Sequence, residues 1–108
     1  EVAVAGTALA ETEAARVGLE RQLSTELRTA AQELETVGRR LTQAREQNRI
    51  AAENLHLARR AFELGEIDLT GLQRVQSLAF AAERAEQQLK ILRQRAIAQY
   101  NQAAGELP

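Results

Sequence analysis

The sequence predicts an all-α fold, a long antiparallel two-helix coiled-coil hairpin, and three observations predict it. Its only proline is the terminal Pro108, and Ala, Glu, Arg, Gln and Leu dominate the rest, which is the composition of long helices and coiled coils. Apolar residues recur on an alternating four-three spacing for more than five heptads. One stretch, Leu64-Gly65-Glu66-Ile67-Asp68, interrupts that spacing with a helix stop followed by a helix start.

The first helix is expected from about Thr7 to Leu64. From Leu23 its spacing runs through Leu27, Ala30, Leu34, Val37, Leu41, Ala44, Asn48, Ala51, Leu55, Ala58 and Phe62. The column 27, 34, 41, 48, 55, 62 holds the large residues and the other column is mostly alanine, so a partner helix approaches closely on that side. Asn48 is the one polar residue in this seam, at a position where asparagine fixes register at some cost in stability, and Asn48→Leu is expected to raise the melting temperature. Ile50, Leu57 and Leu64 repeat every seven residues on a different face, which calls for a second neighbour. Gly18 and Gly38 lie in the helix interior, either as bends or close contacts or simply tolerated, at about 1 kcal/mol each relative to alanine.

At the reversal, over residues 65–68, Gly65 supplies the left-handed conformation that ends a helix. Asp68 is placed to cap the next helix by accepting a hydrogen bond from a free N–H of its first turn. Thr70 with Gln73 three residues on is a competing capping box.

The second helix, expected over about 69–104, carries the spacing Val75, Leu78, Ala82, Ala85, Leu89, Leu92, Ala96, Gln99, Ala103 and stops at Gly105-Glu106-Leu107-Pro108. Folding it back pairs residues whose numbers add to about 133. At about 1.5 Å per residue the two helices would be about 85 and 55 Å long, so roughly 25 residues before Arg28 lack a partner within the chain. That overhang requires another subunit, a further segment, or fraying.

Other function classes are disfavoured by what the residues supply. Fourteen basic and fifteen acidic side chains, distributed along the chain, leave a net charge of −1 and no footprint for nucleic acid. There is no cysteine, and His56 is the only histidine, so neither a thiolate nor a multi-histidine metal site is expected, nor any other cofactor. Acid pairs such as Glu11 with Glu13 and Glu33 with Glu35 are two apart and point to different sides of a helix, and the glycines are too scattered for a phosphate loop. An enzyme is not expected. No apolar run approaches the roughly 20 residues that span a bilayer. Residues 1–108 therefore read as one helical hairpin domain, and Glu1 in place of an initiator Met suggests a processed or excised segment.

The residues Ala61-Phe62-Glu63-Leu64-Gly65-Glu66-Ile67-Asp68-Leu69-Thr70-Gly71-Leu72-Gln73-Arg74-Val75-Gln76 resemble the repeat-tip signature of TolC-like outer-membrane efflux proteins. That pattern is an aromatic, two residues, a glycine, a short polar loop, then a leucine-rich start and a glutamine. The ending Gly-Glu-Leu-Pro, with Gly-Glu-Ile-Asp at the tip, is similar to the heavy-metal cation branch. The resemblance implies a homotrimer whose hairpins are staves of a periplasmic α-barrel, joined to an outer-membrane β-barrel through segments absent here. It implies export of metal cations or small toxic compounds through a tripartite pump. The tip residues Phe62, Gly65, Glu66, Ile67 and Asp68 would face a periplasmic adaptor protein, and through it an inner-membrane pump. The family's acidic position after the tip is Gly71 here, followed at the next by Arg74, so no carboxylate gate carries over. Of the seam, Leu34, Leu41, Asn48, Leu55, Val75, Leu89 and Leu92 are the residues expected to hold the hairpin closed. Two other readings stand beside this one: the hairpin of a periplasmic adaptor, although Asp68 stands where adaptors usually have Ser, and a plain coiled-coil dimerisation module.

Overall fold

The computed structural model describes residues 2–106, with side chains from Val4 to Glu106. The fold is an all-α helical hairpin of two helices, α1 (Val2–Glu63) and α2 (Leu69–Glu106), with no strand among the described residues. Each helix outruns its expected bounds: α1 starts ahead of Thr7, and α2 continues through Gly105. Gly105 does not adopt positive φ, so the expected glycine stop is not made there. A helical glycine costs only about 1 kcal/mol, too little by itself to end a helix. The remainder of that motif, Leu107 and Pro108, lies outside the described residues.

Two compact units make up the chain, one of Glu35–Arg95 and one of Glu1–Leu34 with Ala96–Pro108. In the first, α1 contributes the buried Leu41, Ala44, Leu55 and Ala58, with Val37, Asn48 and Ala51 half-buried. From α2 come the buried Leu72 and Ala79 and the half-buried Val75, Ala82, Ala85, Glu86 and Leu89. Leu55, Ala58, Leu72 and Ala79 form one apolar cluster, against which Ala51, Ile67 and Val75 pack. Large residues meet small ones here, since Leu55 lies in the cluster with Ala79, and this lets two helices interlock without a third.

Three seam assignments in this unit need correction. Phe62 is 40% exposed while Ala61 is half-buried, because the chain turns back over Ala61 at the tip. Leu78 is exposed, and so is Leu92, at 42%. The covered line on α2 runs 72, 75, 79, 82, 86 and 89, so the small Ala79 and the charged Glu86 hold places that a leucine-led reading gives to their neighbours. Gly18 and Gly38 are not close-approach positions, since a Cβ at either would meet nothing within 4 Å.

In the other unit, Ala30, Ala96 and Ala103 are buried, and Leu23, Leu27, Leu34, Ile97 and Tyr100 are half-buried. Gln99, expected in the seam, is exposed and lines an open groove with Thr25, Thr29, Glu33, Gln102 and Glu106. From Val4 to Gln22 every side chain is exposed, Leu9, Val17 and Leu19 included.

Candidate functional site: the hairpin tip and a polar contact in the seam

The tip is built by a Schellman motif. Leu64 N–H still donates to Arg60 O at 3.1 Å, after which Gly65 N–H reaches Phe62 O at 3.0 Å and Glu66 N–H reaches Ala61 O at 2.8 Å. These two last bonds satisfy carbonyls that a helix end leaves free, and they require the left-handed residue that Gly65 provides with φ of 75°. Two residues on, Asp68 Oδ1 accepts the Gly71 N–H at 2.8 Å, and Asp68 O accepts the Leu72 N–H at 3.1 Å as the first helical bond of α2. Asp68 is thus the N-cap, and Thr70 lies inside the first turn rather than starting it. A Cβ at Gly71 would stand 3.2 Å from Asp68 Oδ1, so the glycine leaves room for the capping carboxylate.

Among the five residues expected to form the contact surface, Gly65 and Asp68 build the turn and Ile67 is half-buried against the Leu55 cluster. Phe62 and Glu66 face outward. Leu64 and Leu69 flank them and are exposed, so the outer surface of the turn mixes apolar side chains with the exposed acidic residues Glu63, Glu66 and Asp68. The stripe Ile50, Leu57, Leu64, which runs from α1 into the turn, is exposed along its length.

A second constellation sits in the seam. Asn48 Nδ2 donates to Glu86 Oε2, and the other carboxylate oxygen has Lys90 Nζ at 3.6 Å and Arg45 Nε at 3.8 Å. The Glu86 side chain is 12% exposed, so this carboxylate is largely removed from water. Its carboxyl is held below the usual carboxylate range, chiefly by the Asn48 amide and then by the charges of Lys90 and Arg45, against the opposing effect of partial burial. The numbers 48 and 86 add to 134, close to the expected pairing rule. Sequence reading missed Glu86. The signal was available, since the rule places Asn48 opposite residue 85 or 86 and only Glu86 there offers a polar partner.

On the outer side of α1, Arg49 Nη1 lies 2.7 Å from Glu53 Oε1 while Glu46 takes its other donors. These are exposed ion pairs of low energetic weight, although the guanidinium does hold the Glu46 carboxyl below its ordinary value. His56 lines an open apolar surface with Ala52 and Leu57 beside that pair. Among the described residues no group of three or more His, Cys, Asp or Glu is placed to hold a metal ion, and no helix is long and apolar enough to cross a membrane.

The chain matches no family model, no curated protein and no solved structure.

Proposed function

We propose that the chain is a stave of the periplasmic tunnel of a TolC-like outer-membrane efflux channel, working as a homotrimer in a tripartite pump that exports metal cations or small toxic compounds. The observation that carries this reading is the tip: a glycine-reversed helical turn that presents Phe62, Leu64, Leu69 and Glu66 outward. A turn that merely joined two helices has no need of exposed apolar residues, and such residues set among the acidic Glu63, Glu66 and Asp68 suit a helical partner met end to end. That partner is a periplasmic adaptor, which connects the tunnel to an inner-membrane pump. The exposed Ile50, Leu57 and Leu64 supply a lateral face for the neighbouring stave.

A second reading, a coiled-coil dimerisation module, is favoured by the unbroken exposure from Val4 to Gln22, which a second copy would cover. A photoreactive residue in place of Glu66 in the full-length protein, irradiated in its native cell, separates the two. Capture of an envelope adaptor supports the tunnel reading. Capture of other copies of the same chain alone would sink it in favour of dimerisation.

A further inference from the structure

Within the unit Glu35–Arg95 the apolar seam is repetitive. Leu41 and Leu55 are two heptads apart in one column of α1, Ala44, Ala51 and Ala58 fill the other, and α2 answers with Ala79, Ala82 and Leu89. Sliding α2 by seven residues keeps most of these places apolar, although one direction sets Leu55 against Leu72 in place of Ala79, so apolar burial separates the pairings mainly by side-chain size. The turn at Gly65 and Asp68 also holds the pairing, and the seam contact acts beside it. What also differs between pairings is Asn48 and Glu86. A slide of one heptad in one direction sets Glu86 against Leu41 and Asn48 against Ala79; in the other, Glu86 meets Leu55 and Asn48 meets Arg93. Either slide leaves a carboxylate facing a leucine in a seam where it is now 12% exposed and bonded by an amide, so a partly covered charge would lose its hydrogen-bond donor.

We propose that the Asn48–Glu86 contact, supported by Arg45 and Lys90, is a register lock that selects one pairing of α1 with α2 from several that cover the same apolar surface. It rejects the slid pairings by the position of one charge and its one neutral donor.

Two cysteine pairs in the full chain test this. Ala51→Cys with Ala82→Cys reports the observed pairing, because both positions are half-buried in the seam and their numbers add to 133. Ala51→Cys with Val75→Cys reports a slide of one heptad, since residues 75 and 82 are about 10 Å apart along α2, beyond the reach of a disulfide. In the native background only the first pair should close. With Asn48→Leu and Glu86→Leu added, the second pair should close at least about tenfold faster, which corresponds to about 1.4 kcal/mol of pairing preference removed. A second pair that stays as slow as in the native background, in a chain shown to be helical, overturns the lock. Should the leucine pair not fold, Asn48→Ala with Glu86→Ala keeps helix propensity without added bulk and carries the same expectation.

Discussion

The unit Glu35–Arg95 and the unit of Glu1–Leu34 with Ala96–Pro108 are made of the same kinds of residue and are held by different amounts of structure. The first has a capped turn, an apolar cluster and a polar contact with three partners. The second buries three alanines and leaves the side chains from Val4 to Gln22 exposed. Helix propensity is similar in both, so the contrast isolates the contribution of packing. An unpacked helical stretch relies on propagation from its neighbour, whereas a packed one is held by side chains on another segment.

The largest effect expected from that contrast comes from the same substitution made in each unit. Leu41 is 3% exposed and Leu9 is 62% exposed. Leu41→Ala should cost about 2–3 kcal/mol, the lower half of the range for a buried leucine because a two-helix seam relaxes easily, while Leu9→Ala should change stability by less than about 0.5 kcal/mol. Urea midpoints at unchanged slope measure both, and equal losses would break the comparison. Glycine offers the next test. Gly65→Ala forces an alanine into left-handed backbone and should cost about 1–2 kcal/mol, whereas Gly18→Ala, with open space around its Cβ, should stabilise by about 0.5–1 kcal/mol. A loss of stability at Gly18 would mean that its stretch of α1 is packed against something.

How far these features are legible in the sequence depends on whether their cause is local. The Gly65 turn and the Asp68 cap are written in consecutive residues, and the backbone bonds made there involve positions at most five apart. On α1 the four-three spacing also follows closely, from Leu23 to Ala58, because its heptads continue unbroken through Ala51 and Ala58 even where the larger Ile50 and Leu57 stand beside them. On α2 the larger Leu78 stands beside Ala79 and the apolar Ala85 beside Glu86, and hydrophobicity alone chooses Leu78 and Ala85. The covered line is instead set by α1, whose Leu55 needs a small residue in the shared cluster and whose Asn48 needs an acceptor. A glutamate in a seam is intelligible only with its partner, and that partner is 38 residues away. For the same reason the expected gain from Asn48→Leu no longer holds, because the replacement would take away the amide that accompanies the Glu86 carboxylate. The outward turn of Phe62 was illegible for a related reason: coverage of Ala61 comes from the returning chain, which a helical spacing does not represent.

The smallest expected effect is also the one that separates a seam charge from a surface charge within the packed unit. Glu86 and Glu46 both have carboxyls held below the ordinary value, the first chiefly by the Asn48 amide, the second chiefly by hydrogen bonding to Arg49. A carboxyl depressed in the folded state adds stability that is fully present above its unfolded value of about 4.3 and is lost as the pH falls through the folded value. The melting temperature of the native chain should therefore fall on acidification below about pH 4, and Glu86→Gln, which cannot ionise, should start lower at pH 7 and converge on the native chain as the pH drops. Glu46→Gln should show a weaker form of the same behaviour that vanishes in high salt, because the Glu46 side chain is more than half exposed and its partner is screened by water. The Glu86 difference should survive the salt, since its first support is a hydrogen bond from a neutral amide in a mostly covered position. Equal salt sensitivity at the two glutamates would place Glu86 on the surface and remove the distinction between the seam of this unit and its outer face.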